Sequence, residues 1–341
     1  MQVDYRTALY VFEQFSNELI SPYLHPFYVM TDALRDCTLK PVFWIYEEAG
    51  DIFYYPFHLG RVTGTDSFDI QSAYSYGGPL ASTANQEFLT AAWQNFFSWC
   101  KANQVLAEFI RFHPLIKNQR YFLGETQHMR QTVWVDLCQE NTLLSYLPRT
   151  RTSVRKAYKH NLRIEWVNPA EFCLYFYNLY IQTMDHISAD QFYYFPWGYF
   201  YNLAHWEHCY LAFCFKDFKL LAAAMFLKTD TVMEYHLAAN TPEGNQCSAS
   251  SFILDQAVTL AKKLGCKRLH LGGGTDNRPD NPLLIFKSGF SCERADYCIA
   301  KIIHNSEVYS RLKERLQKEF EKCSDKLLFY RFLPSDEMRE L

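Results

Sequence analysis

The chain has no C-x-x-C pair among its eleven cysteines, and an odd number of thiols cannot close into a full set of disulfides. A zinc ribbon and a disulfide framework are excluded, and the thiols are expected to be reduced and mostly buried. P-loop, H-E-x-x-H and G-x-S-x-G patterns are absent, which removes P-loop nucleotide hydrolysis, zinc proteolysis and hydrolase-elbow chemistry. The net charge is small, −3 with histidines neutral, so no global field draws the chain to nucleic acid or anionic lipid. No apolar run reaches the roughly 20 residues that span a bilayer. The opening MQVDYRTALYVFEQF lacks the basic and apolar regions of a secretory leader. The expectation is a cytoplasmic protein with no transmembrane segment, no DNA partner and no resident metal or tightly bound cofactor.

What is present is apolar and aromatic. Of 341 residues, 49% are hydrophobic and 17% aromatic, enough for one large core or two smaller ones. An opening helix is expected over 5–19, followed by strands PVFWIYEE and DIFYYPFHL turned at Ala49-Gly50-Asp51. After Tyr74-Ser75-Tyr76-Gly77-Gly78-Pro79 and the capping sequence Thr83-Ala84-Asn85-Gln86 comes a helix with Phe88, Ala92, Phe96 and Trp99 on one face. Asn103 is placed to end it in the left-handed conformation, and a strand over 107–113 follows. The order returns later. Strands HCYLAFCFK, LLAAAMFLK and TVMEYHLAA precede a loop containing Gly244, a helix bearing Ile253, Ala257 and Ala261 and stopped at Gly265, and the strand KRLHLGG. An offset of 161 residues carries Tyr74 onto Tyr235, Ala92 onto Ile253 and Phe96 onto Ala257, the pattern of an internal repeat. The fold class read from this is α/β (α+β), two halves each with a mixed twisted sheet flanked by helices. The expected domains are 1–145 and 146–305, with a helical flank at 306–341 in which Glu314 and Lys318 are spaced for an ion pair.

Four segments carry candidate chemistry. Gly272-Gly273-Gly274 directly follows a strand and permits close approach of a ligand or another backbone, although the spacing does not fit a dinucleotide turn. Lys287 lies beside Phe286 and near Phe290, where partial desolvation would suit it to stabilising an oxyanion or a phosphate; a surface lysine is the plainer reading. Arg155 and Lys156 lie in a basic run on one helix and are candidates to grip a pyrophosphate. Arg111-Phe112-His113-Pro114 ends a crossover strand, where His113 is a candidate general base and Arg111 a binding residue. Tyr194, Tyr235 and His236 are candidate hydrogen-bonding residues, each as readily core or wall.

In order, YSYGGPL, RFHPL, RTSVRKAYKHNLRIEW, YNLYIQTMDH, MEYHLAA and LHLGGGTDNRPDNPLLIFKSGF resemble the FemABX-type branch of the GNAT superfamily over about residues 40–300. The most specific element is L-G-G-G coupled to F-K-x-G-F. The resemblance implies two GNAT-like domains and transfer of an acyl or aminoacyl group to an amine. The donor would be acyl-CoA or aminoacyl-tRNA as co-substrate. The acceptor would be a small-molecule, nucleotide-linked or lipid-linked sugar or another cell-envelope amine, as in members from surface-polysaccharide clusters. It assigns the transfer step to Lys287 and a wall to Phe286. Three departures stand out: His113 replaces an aspartate, the long helical hairpin of some tRNA-dependent members is missing, and Glu243-Gly244-Asn245-Gln246-Cys247-Ser248-Ala249 replaces the GNAT pyrophosphate-binding turn. The alternative from a different class is a catalytically silent GNAT-fold scaffold for a nucleotide-sugar or a protein partner.

Overall fold

The computed structural model describes residues 1–15, 20–139, 142–317, 321, 323 and 326–332. Its strands are β1 (Gln2–Val3), β2 (Leu39–Glu48), β3 (Asp51–Arg61), β4 (Phe68–Gln71), β5 (Leu80–Ala81), β6 (Val105–Arg111), β7 (Gln127–Asp136), β8 (Leu162–Val167), β9 (Cys209–Lys216), β10 (Lys219–Lys228), β11 (Val232–Asn240), β12 (Arg268–Gly272) and β13 (Arg294–Ile303). The helices are α1 (Tyr5–Glu13), α2 (Pro26–Asp32), α3 (Gln86–Ala102), α4 (Thr142–Ser145), α5 (Pro148–Lys159), α6 (Pro169–His186), α7 (Trp197–Ala204), α8 (Pro242–Gln246), α9 (Ala249–Lys263), α10 (Pro282–Ser288) and α11 (Ser306–Arg315). No described helix is long and apolar enough to cross a membrane.

Two compact units result. Unit 1 comprises Met1–Leu19, Tyr23–Met129 and Tyr297–Leu341; unit 2 comprises Ile20–Pro22 and Arg130–Asp296. In unit 1, β2 and β3 form a hairpin whose turn residues Ala49 and Gly50 both have positive φ, the two-residue geometry that matches strand twist. β3 pairs antiparallel with β4, α3 crosses over, and β6 returns parallel to β4. Asn85 caps α3 through the amides of Glu87 and Phe88. Phe88, Ala92, Trp93 and Phe96 of α3 pack on Trp44, Phe53, Tyr55 and Phe57 of the hairpin. These rings meet mostly edge to face or tilted, the arrangement that the aromatic quadrupole prefers.

Unit 2 repeats the order. β9 and β10 form a hairpin, β10 pairs antiparallel with β11, α9 crosses over, and β12 returns parallel to β11. Ile253, Ala257 and Ala261 of α9 cover Leu221, Met233, Leu269 and Leu271. Both halves of the expected repeat are therefore present, and α3 and α9 end at residues 102 and 263, the 161-residue offset seen in the sequence.

The halves close differently from the sequence expectation. β7 follows the first repeat in the chain but pairs with β12 of unit 2, while β13 follows the second repeat but pairs with β6 of unit 1. The expected boundaries near 145 and 305 follow chain order. The units follow hydrogen bonding, which puts the crossings at 129/130 and 296/297. Smaller differences have local causes. Asn103 ends α3 at φ −98°, and Gln104 takes the left-handed conformation instead. The expected Gly244 loop is a short helix capped by Thr241. The opening helix ends at Glu13, and residues 16–19 and Lys318 lie outside the described residues, as does Asn141 at the expected joint. Among the described residues every cysteine is free.

Candidate active site

β11 and β12 stay paired only from Val232–Arg268 to Glu234–His270. Beyond that rung β11 continues along β10 to Asn240, while β12 stays paired with β7 to its end at Gly272, so the two parallel strands part. A bulge in β11 between Tyr235 and Leu237 leaves His236 without a register partner on β10. The corresponding gap in unit 1 is filled by its own chain, because Gly77 bridges to Phe112. Unit 2 thus keeps a parting of strands, where open α/β sheets place ligands.

Lys287 is built into the end of this parting. β12 ends at Gly272, whose φ of +76° favours glycine. Asn281 caps α10 by accepting from the amides of Leu283 and Leu284, and its amide group donates to Thr275 and Asp276. Pro282 stands at the first helical position, where a missing N–H costs nothing. At the other end, Gly289 lets α10 meet α5, since a Cβ there would lie 2.1 Å from Thr150 Oγ1. Leu147 N donates to Gly289 O at 2.8 Å and Arg149 Nη2 to Ile285 O at 2.7 Å. This explains both the lysine and the glycine of F-K-x-G-F: the first points inward and the second permits the helix contact.

The Lys287 side chain is buried, with Nζ donating to Gly273 O at 2.8 Å and lying 6.0 Å from the centre of the Tyr235 ring. Burial, and secondly the charge of Arg130, push its pKa down to about 7. Arg130 Nη1 donates to Gly274 O at 3.0 Å, so two cations hold consecutive carbonyls. Near neutrality such an amine populates both protonation states, which an exposed lysine does not.

Of the other sequence candidates, Tyr235 is joined to this site, its ring tilted against Phe226 and its phenol pushed up by burial. His236 is held by the Tyr199 hydroxyl at 2.7 Å, and Phe286 packs edge to face on Phe290. Arg155 and Lys156 are exposed on α5; Lys156 lines an open cleft with His160, Lys216, Glu243, Gln246 and Cys247 rather than approaching Lys287. Tyr194 is bonded to Asp185 at 2.9 Å at the surface. In unit 1, Arg111 is half-buried and donates to the carbonyls of Ser72 and Ala73, and desolvation lowers its pKa. His113 is wholly buried, its Nδ1 accepting from the amides of Leu115 and Ile116 and its ring edge-on to Tyr76. The expectation missed Arg130 and Asn281. Asn281 was legible as a cap before Pro282, whereas nothing local marked Arg130.

The segment between β11 and α9, residues 241–248, is engaged with itself. Gly244 N donates to Thr241 Oγ1, Asn245 N to Thr241 O, Cys247 N to Glu243 O and Ser248 N to Asn245 O. The Glu243 carboxylate lies 2.6 Å from Lys219 and 3.6 Å from Lys216, which holds its pKa below the usual range.

Two tandem halves of this kind, with parallel strands parting in the second, define a duplicated α/β fold. The solved structure of FemX superposes with a TM-score of 0.71 at 14% identity, covering 92% of this chain and 99% of that one. The C-terminal domain of a protein described as a lysylphosphatidylglycerol synthetase of Agrobacterium fabrum gives 0.58 at 14% identity, covering 92% and 97%. A conserved Bacteroides thetaiotaomicron protein of unknown function gives 0.59 at 7% identity, covering 89% and 98%. The chain has the FemX fold. No family model and no curated protein matches its sequence.

Proposed function

We propose that this protein is an N-acyltransferase or aminoacyltransferase that moves an acyl or aminoacyl group from an activated ester or thioester to an amine of a cell-envelope, peptidoglycan-precursor or amino-sugar acceptor. The observation that carries the reading is Lys287, buried beside the parted strands β11 and β12, with its pKa near 7 and its amine on the Gly273 carbonyl. The acceptor nitrogen bonds to the donor carbonyl carbon, and its proton passes to water. The tetrahedral oxyanion is stabilised by the Lys287 ammonium. Collapse breaks the carbon–oxygen or carbon–sulfur bond of the donor, and the leaving group takes up a proton. No covalent enzyme intermediate is required. Tyr235 and Phe286 wall the site. Arg155 and Lys156 are assigned to a phosphate of the donor or acceptor, and Tyr194 and His236 to the surroundings of the site. His113, with Nδ1 committed to its own turn, is given no proton to carry.

Between donors, aminoacyl-tRNA is favoured over acyl-CoA, because the amides of residues 244, 245, 247 and 248 are already engaged and Glu243 stands among the lysines. FemX and the lysylphosphatidylglycerol synthetase domain, whose fold this chain shares, support an envelope acceptor. The test is donor-dependent acylation of cell-envelope fractions by wild type and Lys287→Ala, with and without ribonuclease. Loss in the variant is expected, and loss on ribonuclease treatment identifies tRNA. Equal rates in both proteins would remove Lys287 from the chemistry.

A further inference from the structure

The β9–β10 hairpin is closed by Asp217, at φ +52°, and Phe218. The turn needs no aromatic ring, yet Phe218 is 101% exposed, more than any other large apolar side chain described. The surroundings of this ring are set by register. β8 places Leu162 opposite Lys216 and Arg163 opposite Phe215, and α5 ends just before β8 at Lys159 and His160. Lys159, Arg163, Lys216 and Lys219 therefore gather at the same end of unit 2, with Lys156 and His160 lining the cleft that also holds Lys216.

Three carboxylates oppose these five lysines and arginines: Asp217 in the turn, Glu243 bonded to Lys216 and Lys219, and Glu165 bonded to Arg163 at 2.9 Å. Lys156 and Lys159 make no ion pair among the described residues. The excess is positive although the whole chain carries −3. The patch thus runs against the protein's own charge.

We propose that this end of unit 2 docks on an anionic lipid bilayer, with the Phe218 ring inserted among the headgroups and the surrounding lysines at the level of the phosphates. An apolar wedge and a basic patch are the two signals that together give peripheral membrane binding where either alone is marginal. RNA fits less well. A ring that receives a base is partly covered by a groove wall, whereas the Phe218 ring is fully exposed in a two-residue turn. The docking is weak, reversible and salt-sensitive, because it rests on a few charges and one side chain.

The experiment is co-sedimentation of the purified full chain with vesicles of phosphatidylcholine alone and of equal parts phosphatidylcholine and phosphatidylglycerol. Binding is expected only to the anionic vesicles and is expected to fall as salt is raised. Phe218→Ala should lower the bound fraction about threefold, Phe218→Trp should retain or raise it, and Lys159→Glu should lower it. A full-length Phe218 is not needed for folding, since the ring is in water, so thermal melts of these variants should match wild type. Equal sedimentation with neutral vesicles, or no change in Phe218→Ala, would overturn the proposal. So would Phe218-dependent binding to a single-stranded RNA oligonucleotide that displaces the protein from vesicles. The assay contains no transfer step, so its failure leaves the acyl-transfer reading standing, and the reverse holds too.

Discussion

The amine of Lys287 is tied to the carbonyl of Gly273 at 2.8 Å, fourteen residues earlier in the chain. Because the neighbouring carbonyl of Gly274 is held by Arg130, a buried lysine and an arginine share one glycine segment, and their mutual repulsion is part of the site.

The first prediction concerns the titration of Lys287. Competitive labelling with an amine-reactive reagent, followed by mass spectrometry, should give a half-point near pH 7 for Lys287. Transfer that depends on the ammonium should decline as pH rises through the same region. A transfer rate that climbs through pH 7 would instead make the neutral amine the working form.

The same shift is a stability statement. The folded pKa lies below the unfolded value near 10.5, so the unfolded chain binds more protons between about pH 7 and 10.5, and stability rises with pH across that window. The cost of burying the lysine is complete below pH 7, about 5 kcal/mol as an upper bound. Lys287→Met should therefore melt at a higher temperature than wild type at pH 6, with the gap narrowing toward pH 10. A constant gap would show that the lysine is solvated in the folded protein.

Arg130→Gln removes a like charge, so the Lys287 half-point should move upward, and Arg130→Lys should keep most of the depression. An unchanged half-point in a folded Arg130→Gln protein would leave burial as the sole cause.

Gly289→Ala sets a methyl 2.1 Å from Thr150 Oγ1 and should destabilise by about 1–3 kcal/mol in denaturant titrations. Adding Thr150→Ala should recover much of the loss. A double variant no better than Gly289→Ala alone would place the strain elsewhere.

Arg331 grips the buried Asp69 through two bonds of 2.7 Å. Arg331→Ala leaves that carboxylate alone, at a cost of about 3 kcal/mol. Since burial already raises the Asp69 pKa, protonation softens the loss, and the variant should be relatively worse at pH 8 than at pH 5. Adding Asp69→Asn should flatten that pH dependence.

Much of this was legible in residue patterns. Alternating strands around Ala49-Gly50, the apolar face of α3 and its counterpart on α9 are local features, and each fixed its element within a few residues. F-K-x-G-F was visible as a lysine among aromatics. What burial would do to that lysine was not, because desolvation depends on Tyr235 and Arg130, distant in sequence. The partners of β7 and β13 were hidden for the same reason: nothing in either strand's own residues names a neighbour, and pairing with β12 or β6 is decided by which edge is open. Lys156 shows the converse, since a basic helix face points to no particular ligand until α8 and β9 are set beside it.

The traded strands also set a timetable. During synthesis β6 must wait for β13, residues 294–303, to complete its antiparallel edge, so the first repeat emerges long before its own last strand exists. Cutting the chain at the apparent joint near residue 145 would strand β7 on a fragment that contains no β12 and leave β13 on one that contains no β6. Each fragment would carry an unpaired edge and an orphaned strand, a combination prone to association. Co-expression of the two fragments is thus a route to reassembly, whereas either one alone is a poor candidate for independent folding.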